Sequence, residues 1–327
     1  MSSRFFIGSL HFGSSIRQKE VNKIIGISKD YKILNFETSP IYGDGRSIKS
    51  LSKALRLNKY FEAKASIKFG LESNTQNTYF KVKPSYLNKI LLTQLTKKYL
   101  NIFDYNKISS FQLHAFNKDN DWEGVYSFLE NEIKNRSVEY WGISNHSPDQ
   151  LKFHLRNLKH SYLIKKLKIC QIHMNLMEKR IFNNFNFFCN NKHILLLFNR
   201  VLARGILTSR LLSFDKLSDD VRVVSSLRIK NFYLKNKKRI MKILYFLEDY
   251  AQSLGVNIEH IAIKYCLEEN INSKVILGVS NSKQLVDLFS GIDKLRKYKV
   301  KYDIENIIKL TNSENFVNSH PVTYFEK

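Results

Sequence analysis

Four side chains that can exchange protons or hold charge follow three successive β-rich segments of the chain: Glu37, Tyr42, Lys68 and His114. A ketone that accepts a hydride also needs a proton on its oxygen, and a tyrosine of ordinary pKa, about 10, is a reluctant donor. A neighbouring ammonium group lowers that pKa, and a carboxylate holds the ammonium in place. A histidine can bond the carbonyl oxygen and orient it. Each residue alone is typical of a structural role, but together they form a coherent proton-transfer set.

The fold must bring these segments together. Short β-rich runs alternate with longer helical patterns along the chain, which indicates a parallel α/β architecture. The predicted strands cover residues 5–8, 33–39, 63–68, 108–114, 138–144, 168–175, 193–199 and 274–280. Eight such strands favour a closed (β/α)8 TIM barrel over an open doubly wound sheet, and the sequence has no Gly-x-Gly-x-x-Gly turn to support the latter. In a barrel, functional groups lie at the carboxyl ends of the strands.

Helices are predicted between the strands. Residues 47–57 place apolar side chains on one helical face, and residues 84–100 begin with a proline suited to a first turn. The segment Ser147-Pro-Asp-Gln150 is typical of a capping box, here opening a helix through Leu158. Two more helices, at 237–254 and 258–269, are separated by Gly255.

The composition limits the class of protein. The chain has 327 residues, 43% of them hydrophobic, which suffices for one barrel or two ordinary domains. It contains no run of about 18 apolar residues and no signal-peptide pattern, so we expect a cytoplasmic protein without membrane insertion. Three widely spaced cysteines, Cys170, Cys189 and Cys266, predict reduced, buried thiols and neither a disulfide framework nor a metal site.

The charge of the chain is strongly positive. It has 53 Lys and Arg residues against 29 Asp and Glu residues, a formal net charge of +24. Such a field can attract nucleic acid, anionic membrane surfaces or anionic ligands. The basic residues are spread over the whole chain, however, and an AT-rich genome also encodes many Lys, Asn and Ile residues. Because no nucleic-acid module with interleaved aromatic residues is recognisable, we expect no specific nucleic-acid partner.

Three motifs make the chain similar to the aldo-keto reductase family. Residues 37–43, Glu-Thr-Ser-Pro-Ile-Tyr-Gly, resemble its Asp-Thr-Ala-x-x-Tyr-Gly segment, residues 67–70, Ile-Lys-Phe-Gly, resemble its Thr-Lys-Phe-Gly, and residues 112–114 match its Gln-Leu-His. The likeness is colinear from about residue 4 to about residue 290. It implies the barrel fold, with Tyr42 as general acid, Lys68 as modulator of its pKa, His114 as the group that orients the substrate, and Glu37 in place of the usual Asp.

Glu37 is the main departure from the family pattern. Its side chain is one methylene longer than Asp, so its carboxylate lies on the order of 1.5 Å farther out on an unchanged backbone. A displacement of about 1 Å can cost about 100-fold in rate. Two further departures are Asn199-Arg200, where Ser-Pro is usual, and His173-Met174, where a Glu-Tyr pair is common.

The resemblance also implies a nicotinamide cofactor. Residues 142–148 are similar to the family's Gly-Val-Ser-Asn-x-Ser-Pro, so Ser144 and Asn145 would bond the nicotinamide carboxamide, and Gln171 would share that amide. Segment 197–208, aligned with one extra or shifted position near Val201, would let Phe198 stack on the nicotinamide ring. The other predicted cofactor contacts are Asn199, Gly205, Gly278, Ser280 and Gln284.

The adenosine end of the cofactor is expected at residues 276–285. A helix N-terminus there offers unbonded N–H groups and a positive dipole end, which suit a phosphate. Lys274, Lys283 and Arg204 add positive charge near this end, so we expect NADPH, with NADH as the alternative.

These expectations combine into one function. We expect a single domain over residues 1–327, with a C-terminal helix and tail in 291–327, that reduces an aldehyde or ketone, either a small metabolite or a sugar. The alternative is a cofactor-binding barrel with little turnover that acts as a sensor or interaction subunit. The loops at 71–83 and 209–236, and the tail with Phe316, Tyr324 and Phe325, are candidates to cover the mouth.

Overall fold

The computed structural model describes residues 2–73, 82–103, 108–158, 161–213, 231, 233–311 and 313. The strands in this part of the chain are β1 (Phe5–Gly8), β2 (Asn35–Thr38), β3 (Lys64–Phe69), β4 (Leu71–Ser73), β5 (Val82–Pro84), β6 (Ile108–Leu113), β7 (Val138–Ser144), β8 (Leu167–His173), β9 (Leu195–Asn199) and β10 (Lys274–Gly278). Eight of them close into a parallel barrel in the order β1-β10-β9-β8-β7-β6-β3-β2. The predicted barrel and its eight strands are therefore confirmed.

A small antiparallel hairpin, β4 and β5, lies outside the barrel. It pairs Leu71 with Pro84, and all of its residues except Pro84 belong to the predicted loop at 71–83. Residues 74–81 between its strands lie outside the described residues. Strands of three residues are too short to carry a periodic signal, which is why the sequence did not predict them.

The helices surround the barrel. They are α1 (Gln18–Asp30), α2 (Arg46–Leu57), α3 (Lys89–Leu100), α4 (Trp122–Lys134), α5 (Pro148–Asn157), α6 (Arg180–Asn191), α7 (Lys237–Ser253), α8 (Ile258–Glu269), α9 (Ser282–Lys294) and α10 (Lys301–Leu310). The predicted capping box opens α5, because the Ser147 hydroxyl accepts from the Gln150 N–H at 3.2 Å and the Gln150 amide accepts from the Ser147 N–H at 2.8 Å. Gly255, with a φ of +66°, follows α7 as predicted.

The predicted start of α3 is wrong. Pro84 does not open this helix, since it is the last residue of β5. The helix begins at Lys89, where the Asn88 side chain accepts a hydrogen bond from the Leu91 N–H at 2.8 Å. An Asn at the N-cap satisfies one of the otherwise unbonded N–H groups of the first turn, so the cap and not the proline sets the boundary.

Side chains along each barrel strand alternate between the interior and the helical layer. Phe6, Ile169, Leu197 and Ile276 form an apolar cluster of their own inside the barrel. Their chain neighbours, such as Ile7, Cys170, Phe198 and Val275, belong to the larger core between barrel and helices. The register pairs inward residues of adjacent strands, so this alternation also decides which side chains reach the mouth.

Three further predictions concern membrane spans, the cysteines and the segments near the barrel mouth. No helix in the described part of the chain is long and apolar enough to cross a membrane. The three cysteines are buried and carry no disulfide. Of the segments expected near the mouth, residues 214–230 and 232 and the tail with Phe316, Tyr324 and Phe325 lie outside the described residues.

Candidate active site

The four predicted proton-transfer residues meet at the carboxyl ends of β2, β3 and β6. Glu37 lies on β2 and Lys68 on β3, and both point into the barrel, since their neighbours Phe36 and Ile67 pack in the outer core. Tyr42 lies in the turn that follows β2, and His114 directly follows β6. The closed order of the barrel makes these three strands neighbours, so residues far apart in sequence share one corner of the mouth.

The Glu37 carboxylate links the other two polar groups of this corner. Its Oε1 atom accepts a hydrogen bond from the Tyr42 hydroxyl at 3.1 Å and forms an ion pair with the Lys68 Nζ atom. Lys68 and Glu37 are almost fully buried, and the Lys68 Nζ atom lies 5.2 Å from the centroid of the Tyr42 ring. The extra methylene of Glu thus brings the carboxylate within reach of the phenol while it keeps the ammonium.

The electrostatics of the corner differ from the prediction for Tyr42. Burial, and then the Glu37 carboxylate, raise the pKa of Tyr42 well above its ordinary value. Burial lowers the pKa of Lys68, an effect that Glu37 partly offsets. We predicted that Lys68 would lower the pKa of Tyr42. With an anion as the direct partner of the phenol, the phenolate is disfavoured and Tyr42 keeps its proton.

His114 is held by a serine. Its Nδ1 atom lies 3.1 Å from the Ser39 Oγ atom, and the same Oγ donates to the backbone carbonyl of Lys68 at 2.9 Å. The Tyr42 and His114 rings meet edge to face with centroids 5.9 Å apart. Burial, and then the Lys68 charge, hold the pKa of His114 well below its usual range, so the imidazole is neutral.

The residues predicted to bond the nicotinamide carboxamide lie on the next two strands. Ser144 ends β7 and pairs in register with Gln171 of β8. The Asn145 amide donates to the His114 carbonyl at 2.9 Å and to the Ser144 hydroxyl at 3.2 Å. Gln171 is buried, and its Oε1 atom has no hydrogen-bond partner among the described residues. A buried, unsatisfied acceptor fits the N–H donors of a carboxamide, so this part of the site suits the nicotinamide.

The predicted stacking of Phe198 on the nicotinamide is not supported by its position. Phe198 is fully buried on the outer face of β9, where its ring meets Phe182 of α6 edge to face at 5.6 Å between centroids. The inward residue at this level is Asn199, which pairs with His173, and its Oδ1 atom is buried without a partner among the described residues. The extra position assumed near Val201 assigned the stacking role to residue 198, one position before the inward residue Asn199.

The predicted adenosine end is capped by protein groups. Gly278 ends β10 with open space beside its Cα, and the Ser280 N–H donates to the Gln284 side chain at 2.8 Å. At the start of α9, the Ser282 N–H donates to the Glu20 carboxylate at 2.6 Å, and this bond lowers the pKa of Glu20. Glu20 is therefore an anion already seated at the helix N-terminus where a phosphate was expected.

The three basic residues predicted near the adenosine end lie in different parts of the barrel. Lys274 begins β10, at the end of the barrel opposite the mouth, with its Nζ atom 5.8 Å from the centroid of the Phe6 ring. It is therefore remote from the predicted adenosine site. Lys283 lies in the first turn of α9. Arg204 and Gly205 follow β9 in a short 3-10 turn, where Gly205 has a φ of +98°.

Sequence reasoning missed one charged group at the mouth. Arg200 follows β9, and its Nη1 atom lies 3.3 Å from the Nδ1 atom of His173, the last residue of β8. Its charge lowers the pKa of both Tyr42 and Lys68 as a minor contribution. Burial, and then Arg204, lower the pKa of Arg200 to about 9. The signal in the sequence was the departure from Ser-Pro at 199–200.

Comparisons with known proteins agree with this architecture. The family model described as the aldo/keto reductase family matches residues 4–307. An aldo-keto reductase from Fusarium vanettenii is 22% identical over 315 residues, which cover 88% of this chain and 83% of that protein.

Solved structures share the fold at low sequence identity. A glycerol dehydrogenase from Gluconobacter oxydans superposes with a TM-score of 0.77 at 18% identity, over 98% of this chain and 94% of its own. An aldo-keto reductase from Klebsiella pneumoniae in complex with NADPH superposes with a TM-score of 0.68 at 11% identity, over 99% and 94% of the two chains.

Proposed function

We infer that this chain, which belongs to the aldo/keto reductase family, is a nicotinamide-dependent oxidoreductase that reduces an aldehyde or ketone, either a small metabolite or a sugar. One observation carries the proposal: Tyr42, Glu37 and Lys68 are joined by hydrogen bond and ion pair beside His114 at the mouth of the barrel. We further propose that residues 1–327 form a single domain.

In the proposed reaction, Tyr42 donates its proton to the carbonyl oxygen of the substrate, and His114 lies beside that oxygen. The bound cofactor supplies the hydride. When Tyr42 gives up its proton, negative charge develops beside Glu37, and the Lys68 ammonium offsets it from the other side of the carboxylate. Burial of the corner strengthens each of these charge interactions relative to water.

We propose NADPH as the preferred cofactor, with NADH as the alternative. Ser144, Asn145 and Gln171 would hold the carboxamide, and the unsatisfied Oε1 atom of Gln171 is the best support for that assignment. The remaining proposed contacts along the mouth are Asn199, Gly205, Gly278, Ser280 and Gln284. The solved relative from Klebsiella pneumoniae in complex with NADPH supports the choice.

A second candidate function is a cofactor-binding barrel with little turnover. It is favoured by one observation: the Tyr42 hydroxyl donates to Glu37, so its hydrogen must turn away from the carboxylate before it can protonate a substrate. Such a chain would keep cofactor affinity and use it for sensing or for interaction with another protein.

A carbonyl panel separates the two functions. The pure protein is incubated with aldehydes and ketones, sugars included, and with each reduced cofactor, and the loss of reduced-nicotinamide absorbance is followed. We expect turnover with at least one carbonyl and a higher kcat/KM with NADPH. Cofactor binding in a direct titration, together with no turnover over the whole panel, would establish the second function instead. Equal affinity for NADPH and NADH would remove the cofactor preference.

A further inference from the structure

Ser39 differs from the Ala of the family motif and contributes a hydroxyl to the corner that holds His114. It is buried, it follows β2, and its Oγ atom lies between two neighbours, the Lys68 carbonyl at 2.9 Å and the His114 Nδ1 atom at 3.1 Å. A hydroxyl carries one hydrogen and two acceptor lone pairs. One neighbour therefore receives that hydrogen, and the other donates to the oxygen.

The Ser39 hydroxyl donates its hydrogen to the Lys68 carbonyl. A carbonyl oxygen can only accept, whereas the Nδ1 atom of a neutral imidazole can either donate or accept. The register of β2 with β3 ends at the pair of Thr38 and Ile67, so the Lys68 carbonyl is beyond the ladder on that side. The Ser39 hydroxyl bonds it there, which satisfies a polar group in a buried environment.

The consequence is a fixed tautomer of His114. With its only hydrogen given to Lys68, the Ser39 oxygen accepts from His114, so the Nδ1 atom carries the imidazole hydrogen. The neutral state of His114, which burial and the Lys68 charge favour through its low pKa, leaves the Nε2 atom with a lone pair and no hydrogen. To reverse this, Ser39 would have to leave the Lys68 carbonyl without its donor.

We propose that Ser39 is a positioning residue that holds His114 as a hydrogen-bond acceptor toward the reacting oxygen, so that the site binds the alcohol form of its substrate in preference to the carbonyl form. The proposal rests on the function proposed above. A carbonyl oxygen offers no hydrogen to the Nε2 atom, whereas the hydroxyl of the corresponding alcohol does. Ser39 thereby favours binding of the alcohol over binding of the carbonyl.

The tautomer can be measured without any reaction. In protein labelled with 15N-histidine, the signals of His114 among the nine histidines are identified by their loss in the His114→Gln variant. We expect a protonated Nδ1 and an unprotonated Nε2 in the wild type. In Ser39→Ala, which restores the family residue, we expect the hydrogen to move to Nε2. A wild type protonated at Nε2, or a pattern unchanged in Ser39→Ala, would overturn the proposal.

Kinetics test the consequence for the substrate. For one carbonyl and its alcohol, assayed in both directions, we expect Ser39→Ala to lower KM for the carbonyl and raise KM for the alcohol, each by about fivefold, the effect of one ordinary hydrogen bond. The control is Ser28→Ala, which removes a buried hydroxyl from α1 that bonds the Ile24 carbonyl at 2.7 Å. A parallel change of both KM values in Ser39→Ala would mean general loosening of the site and would contradict the proposal.

The two proposals fail in different ways. A chain that turns over no carbonyl and no alcohol would contradict the proposed function, while the nitrogen signals of His114 would still report the tautomer. A chain that reduces carbonyls with His114 protonated at Nε2 would keep the proposed function and remove the role of Ser39.

Discussion

The two halves of the barrel mouth differ in the polar groups that they bury. On the half formed by β2, β3 and β6, the Glu37 carboxylate bonds both Tyr42 and Lys68. On the half formed by β8 and β9, Gln171 and Asn199 each bury an oxygen atom that has no hydrogen-bond partner among the described residues. The first half pairs its buried charges within the chain and leaves one amide oxygen, the Oε1 atom of Gln112, without a partner, whereas the second half leaves two.

A ligand can therefore add more hydrogen bonds on the half formed by β8 and β9. An unsatisfied buried acceptor costs about 1–3 kcal/mol, so a ligand that bonds Gln171 or Asn199 recovers stability that the chain alone lacks. The charged groups of the proton-transfer half need no such completion, because Glu37 and Lys68 already compensate each other. We therefore expect changes on the first half to alter stability and chemistry, and changes on the second half to alter cofactor affinity.

The largest effect is expected for Lys68→Met. It leaves the buried Glu37 carboxylate without its ammonium partner, which costs about 3–5 kcal/mol of unfolding free energy. Urea unfolding followed by circular dichroism measures this loss. The matched control is Lys64→Met on the same strand, because Lys64 pairs with Glu139 at 2.9 Å with both side chains more than a third exposed. There we expect about 0–1 kcal/mol. Equal losses of unfolding free energy in the two variants would show that the buried pair of Lys68 and Glu37 stabilises the protein no more than the exposed pair does.

A smaller effect is expected for Gln171→Leu on the other half. The substitution removes the unsatisfied acceptor, so stability is kept, but cofactor affinity falls by about fivefold through the loss of one hydrogen bond. Calorimetric titration with NADPH measures the affinity. Gln252→Leu, on the exposed side of α7, serves as the control. A variant that binds NADPH as tightly as the wild type would remove Gln171 from the cofactor site.

The smallest effect is expected for Glu37→Asp. The shorter side chain keeps the ion pair with Lys68 but withdraws from the Tyr42 hydroxyl, so turnover stays the same or rises by up to about fivefold. The pKa of Tyr42 falls with it, because the anion beside the phenol retreats. The pH profile of alcohol oxidation should therefore rise at lower pH than in the wild type. Glu37→Ala should lose activity. An Asp variant as inactive as the Ala variant would contradict this expectation, in which activity depends on the ion pair with Lys68 and not on the bond to Tyr42.

The sequence predicted the barrel and the meeting of the four residues for a simple reason. Strands alternating with helices leave few topologies, and the carboxyl ends of parallel strands meet at one face of a closed barrel. Glu37, Lys68 and His114 follow from strand order alone, and so does Tyr42 in the turn after β2. Their hydrogen bonds depend on side-chain length and rotamer, which strand order leaves undetermined.

The sequence of β9 does not show whether the Phe198 side chain points into the barrel or toward the helices. Residues 195–198, Leu-Leu-Leu-Phe, are apolar on both faces, so the two-residue period of a strand does not show which side is inward. A shift of one residue reverses every side chain of a strand. The bond between Glu20 and Ser282 was equally hidden, because it joins residues 262 positions apart.

The central claim is that Tyr42 is the proton donor of a carbonyl reductase, and Tyr42→Phe tests it most directly. The variant and the wild type are compared on the carbonyl that the panel identifies, with kcat/KM and NADPH affinity measured on the same preparations. Removal of a general acid typically costs about 100-fold to 10,000-fold in rate. We expect a loss in that range with cofactor affinity almost unchanged, since Tyr42 acts on the substrate oxygen. A wild type and a Tyr42→Phe variant that turn over the substrate equally well would assign the chemistry to another residue and contradict the mechanism.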